Sequence, residues 1–171
     1  MAAILALDGG EYLPALVCGP CRNPQARTML KEHKPKDLFP ASRDARAATA
    51  GLYLYWSCFE EAHQLVDDPR TPEATYWHAI LHRQEPDSGN AAYWFRQLRD
   101  HPIFEPLATE ARDIIERNPT AEFRLREWDA FAFINFCERA VTQPGSIQEK
   151  AAREIQRVEW QLLFDHTARR A

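Results

Sequence analysis

The residues best suited to chemistry in this 171-residue chain lie between positions 60 and 96, where three histidines share a short stretch with several carboxylates. Tyr76-Trp77-His78-Ala79-Ile80-Leu81-His82-Arg83 places two imidazoles four residues apart. At about 100° per residue, His78 and His82 fall about 40° from one another on a helical wheel, beside the apolar arc of Ala74, Tyr76, Trp77, Ile80 and Leu81. They face one space. Upstream, Glu60-Glu61-Ala62-His63 closes another apolar-periodic stretch, with His63 on the rim of its apolar arc and Glu60 turned to water. The turn from Asp67 to Thr71 is short enough to make the two helices antiparallel, which brings His63 toward His78. Three neutral imidazoles at such an interface suit a divalent transition metal, Zn²⁺, Ni²⁺ or Fe²⁺. A water would take the open position, with Glu61 or Glu85 as a fourth ligand or catalytic base.

The segment from His82 through Asn90 contains Pro86 and Gly89, and from Arg83 onward it reads as a loop leading into Ala91-Ala92-Tyr93-Trp94-Phe95-Arg96. Its acids, bases, amide and flat rings suit a small polar or anionic molecule. Arg83 or Arg96 would hold a carboxylate or phosphate, Asp87 and Asn90 would bond to it, and Trp94 with Trp77 would cover an apolar face. The same residues also read as ion pairs and caps that tie down an interhelical loop, in a structural or protein-interaction domain whose histidines are hydrogen-bonded in the core. The alternatives are therefore a metal-dependent hydrolase-like activity, a metal-free binding module, or a scaffold.

From Tyr76 to Arg96, with Glu61-Ala62-His63 before and His101-Pro102-Ile103-Phe104-Glu105-Pro106-Leu107 after, the chain resembles a family of uncharacterised microbial all-helical proteins. Those proteins share the signature Tyr-Trp-His-x-Ile-x-His-Arg-x-Glu-x-Asp-x-x-Asn-Ala-x-Tyr-Trp-Phe-Arg. The resemblance spans about Gly51 to Leu107 and departs from the pattern at Ala62, where a serine is expected; it implies kinship and brings no activity with it. The three-histidine set is also similar to that of DinB-like helical bundles, with a different order of ligands along the chain. Cys18-Gly19-Pro20-Cys21 resembles the active-site motif of thioredoxin-like oxidoreductases, but the alternation of strands and helices that such a fold requires does not follow it. Cys58 and Cys137 sit singly on apolar helix faces. All four cysteines are expected as reduced thiols.

The elements that must position these residues are helical. A composition of 45% hydrophobic and 27% charged residues supports one globular domain with a full core. Lys and Arg total 21 against 25 Asp and Glu, and the basic residues are scattered, which disfavours a nucleic-acid partner. The apolar run from Ala2 to Leu7 is too short for a signal peptide or a membrane span, so a cytoplasmic protein with no membrane partner is expected.

Pro14, Pro20, Pro24, Pro35 and Pro40 make residues 1–41 an irregular arm with one short helix at about 25–33, wrapping over the core. Residues 42–171 form the helical domain. Apolar spacing and capping signals predict helices over about 42–66, 72–82, 88–98, 105–116, 121–141 and 147–167. No period-two run appears, so the fold class is all-α, a single-domain bundle of six or seven helices. The late aromatic residues Phe123, Trp128, Phe131, Phe133 and Phe136, with Ile134, are apolar enough to predict a homodimer.

Overall fold

Helix starts in this chain are set by short polar side chains that accept from otherwise unpaired backbone amides. The computed structural model describes residues 12–169, among which nine α-helices and no β-sheet are found. They are α1 (Pro24–Lys31), α2 (Pro35–Leu38), α3 (Ala45–Tyr55), α4 (Phe59–Val66), α5 (Pro72–Gln84), α6 (Ser88–Leu98), α7 (Phe104–Arg117), α8 (Ala130–Val141) and α9 (Ile147–Ala168). Asn23, Asp44, Thr71, Asp87, Asp129 and Ser146 cap α1, α3, α5, α6, α8 and α9 through side-chain oxygens. At α9 the cap is reciprocal, because Gly145 N donates to Glu149 Oε2 while Glu149 N donates to Ser146 Oγ.

The helix count exceeds six or seven for identifiable reasons. The stretch expected as one helix over 42–66 is broken at Ser57, whose φ of +57° lies in the left-handed region, so that Trp56 and Cys58 both donate back to Tyr53 O. The arm adds α2, a single turn, to its expected helix. The helix expected from residue 121 starts only at Ala130. Glu122 is left-handed with φ of +56°, and helix resumes where the Asp129 carboxylate accepts from Phe131 N and Ala132 N.

The arm lies on the bundle. Cys18 N donates to Gln84 O, while Arg153 and Gln156 of α9 donate to the carbonyls of Leu13, Pro14 and Ala15. Its Cys21 forms a disulfide with Cys58 at the α3–α4 break, which corrects the expectation of four reduced thiols. Sequence spacing gave no sign of a partner 37 residues away on another segment. Cys18 and Cys137 are free. A disulfide is unusual in a reducing cytoplasm, so one support for a cytoplasmic location falls away. No described helix is long and apolar enough to cross a membrane, and the run from Ala2 to Leu7 lies outside the described residues.

Helix α5 runs through the centre. Trp77 is fully buried between α3 and α9, against Gly51 and Trp160, so it is a core residue and is not available to a ligand. Phe123, Trp128, Phe133, Ile134 and Phe136 are buried within the single chain, and of that set Phe131 alone is exposed. Those buried side chains are packed inside the chain's own core.

Candidate functional site

Two of the three nominated histidines stand one turn apart on α5, and the short 67–71 connection folds α4 back alongside it. His63 Nε2 lies 3.1 Å from His78 Nε2, and His82 Nε2 lies 3.0 Å from the same atom. With metal–nitrogen bonds of about 2.1 Å, such separations subtend roughly 91–95° at a shared ion, close to the octahedral value. The three imidazoles form one group whose ligand atoms all fall within 4.8 Å of each other.

Each ring is held differently. His82 Nδ1 is 2.8 Å from Glu85 Oε2, so that nitrogen carries the proton and the Nε2 lone pair faces the other rings. His78 is stacked on Trp94, with centroids 4.4 Å apart and planes 26° from parallel, and its Nδ1 is buried with no hydrogen-bond partner. His63 is the solvent-facing member, its side chain 29% exposed, with Asp67 Oδ1 3.8 Å from its Nε2. Burial, reinforced by positive charge on His82 and on His63, pushes the His78 imidazole down to about 4.

The remaining nominees divide. Glu85 orients His82 as its hydrogen-bond partner, the part a carboxylate plays behind a ligand ring, and is not left free as a base. Asn90 places its amide nitrogen 3.4 Å from both ring nitrogens of His82, and Trp94 is in the cluster. Glu61 is drawn elsewhere, to Arg27 at 2.6 Å and Lys31 at 2.9 Å on α1. Partial burial raises its pKa, but hydrogen bonds from Lys31 and Arg27 outweigh this and hold the carboxyl below its ordinary value. It therefore serves neither as ligand nor as base. Asp87 is the α6 cap, accepting from Asn90 N, and does not join the imidazoles.

Arg83 is a correction of larger consequence. It lies in the last turn of α5 rather than in a loop, with a buried guanidinium that donates twice to the fully buried Glu159 and once to Gln156. Tyr76 Oη donates to the same Glu159 carboxylate at 3.0 Å, and the Arg83 guanidinium lies over Phe133. Burial works to lower the Arg83 pKa, but the Glu159 charge more than offsets it and holds the group above its ordinary value. Its charge is answered inside the protein by Glu159. Arg96 is exposed over Phe131, two residues beyond Trp94 and hence on roughly the opposite face of α6. Recognition of a carboxylate or phosphate by this pair of arginines is therefore not available at the imidazoles.

His63 is the member of the cluster that solvent reaches. A cleft of about 610 Å³ lined by Phe95, Arg99, Trp128 and Phe131 lies on another face and contains none of the nominated residues. Asp67, four residues after His63, is a neighbour that the sequence shows only as the start of the 67–71 turn. Its spacing was the available signal.

No protein-family model matches the chain, and neither does any curated protein or solved structure.

Proposed function

We propose that the protein binds a divalent transition metal through the Nε2 atoms of His63, His78 and His82 and presents it to a small polar or anionic molecule on the side where His63 meets solvent. The observation that carries this reading is the pair of short contacts made by one atom. His78 Nε2 has a neighbouring imidazole Nε2 at 3.0 Å and another at 3.1 Å, and one proton serves only one such contact with good geometry. Because the Nδ1–H of His82 points at Glu85, its Nε2 brings only a lone pair. A cation accepts all three lone pairs at once. The donor set suits Zn²⁺, Ni²⁺ or Fe²⁺.

Asp67, not Glu61 or Glu85, is the carboxylate free to serve as a further ligand or as a proton acceptor. The metal itself would do the recognising expected of Arg83, which is paired with Glu159, and of Arg96, which lies over Phe131. The signature from Tyr76 to Arg96 covers α5 and α6, so chains that share it would carry His78, His82 and the Trp94 stack in the same arrangement.

A second reading, in which the cluster only packs α4 against α5, draws on the deep burial of His78, which is 3% exposed. Elemental analysis of tag-free protein, beside His78→Ala and His82→Ala, separates the two. One equivalent of metal fewer than wild type in both variants, with helical content retained, supports the proposal. Wild-type metal content in both variants, with several kcal/mol of stability lost, would leave the histidines structural.

A further inference from the structure

Away from the first cluster, three residues from three distant parts of the sequence meet at the other end of α5. Glu73 lies in the first turn of α5, His101 in the connection between α6 and α7, and His166 in the last turn of α9. Their ligand atoms all fall within 4.8 Å of one another, and His166 Nε2 is 3.2 Å from Glu73 Oε1. His101 is 3% exposed, packed edge-on against Tyr76 and His166, and its Nε2 is buried with no hydrogen-bond partner. A buried polar atom left unpaired is costly, and natural proteins retain few of them. The geometry points to a second, independent metal site, in which Glu73, His101 and His166 hold a divalent cation, Zn²⁺ or Fe²⁺, by two imidazoles and one carboxylate.

The donor chemistry fits. Two imidazoles with one carboxylate are a recurring set for Zn²⁺ and for Fe²⁺, and differ from the all-imidazole set of the first cluster. A cation at His101 Nε2 supplies the partner that this atom lacks. The ring proton then resides on Nδ1, and what is given up is the contact in which Ile103 N donates to that nitrogen at 3.4 Å, beyond the usual range for a good hydrogen bond. The carboxylate neutralises half of the ionic charge. Glu73 and His166 side chains are 11% and 20% exposed, which leaves a route for the ion from solvent. Since α9 contributes a ligand next to its C-terminus, the ion would pin that end of the helix to α5.

The test uses the full chain stripped with chelator, titrated with Zn²⁺ alone and followed by equilibrium dialysis and thermal melting. The variants are His166→Gln and Glu73→Gln here, and His78→Gln at the other cluster; His101 is left intact because it is buried. The expected result is two equivalents in wild type and one in each variant, with a melting point that rises by about 5 °C or more at saturating Zn²⁺ and a rise that is smaller in His166→Gln. One equivalent that disappears in His166→Gln and persists in His78→Gln would support this site while removing the one under Proposed function. Binding unchanged in both His166→Gln and Glu73→Gln overturns the inference, whatever happens at His78.

Discussion

Replacing Arg83 by methionine distinguishes an anion-binding arginine from one that holds the core together. Its side chain is 1% exposed and that of Glu159 is 0% exposed, so removing the guanidinium leaves a carboxylate with no counter-charge in the interior. Breaking one partner of such a buried pair costs about 3–5 kcal/mol. For a domain of this size, each kcal/mol lowers the melting point by about 2–4 °C, so Arg83→Met should melt roughly 10–15 °C below wild type. The double variant Arg83→Met with Glu159→Leu should recover most of the loss, because the buried charge goes and Phe133 keeps an apolar neighbour. Guanidinium denaturation followed by far-ultraviolet circular dichroism measures both. A loss under about 1 kcal/mol in the single variant, or no recovery in the double one, would refute the assignment of Arg83 to a structural network.

Gly51→Ala places a methyl 2.7 Å from Trp77 Cζ2 and should destabilise the fold by about 1–3 kcal/mol, even after the gain of roughly 1 kcal/mol in helix propensity; equal or higher stability by denaturation would contradict the packing. Thiol titration in denaturant without reductant should find Cys18 and Cys137 only, and Cys58→Ala should lower stability by about 4 kcal/mol from loop closure over 37 residues, with reductant then having no further effect. Cys137, which burial pushes up to about 12, should resist alkylation in the native state while Cys18 reacts. In chelator, stability should fall by a few kcal/mol as pH drops from 6.5 to about 4: the unfolded chain takes up protons in that window that folded His78 and His101 refuse. A flat denaturation midpoint across that range would show that both imidazoles protonate freely in the fold.

The histidine cluster was legible because every step toward it is local. Two residues four apart on a helix and a third across a short turn meet by helical geometry, and Thr71-Pro72 announces where α5 begins. Arg83 misled because charge in a segment holding Pro86 and Gly89 reads as a solvated loop, while its partner Glu159 is 76 residues away. Cys58 misled for the same reason. The second histidine group had no signature at all, since Glu73, His101 and His166 come from three unrelated elements and converge only once α9 packs beside α5. Likewise, nothing in the apolar spacing of 42–66 marks Ser57, where one backbone angle turns an expected rod into two helices.

The stack of Trp94 on His78 gives the first cluster an optical reporter. Of the five tryptophans, Trp56, Trp77, Trp128 and Trp160 are buried in the core, whereas Trp94 is half-buried with its indole face against an imidazole. Protonated imidazoles and paramagnetic ions such as Ni²⁺ quench an indole they touch, and a cation over the ring also shifts its emission. A metal bound at the cluster would therefore be read in the Trp94 part of the intrinsic fluorescence, and Trp94→Phe would silence that signal while leaving a flat ring for His78 to rest on.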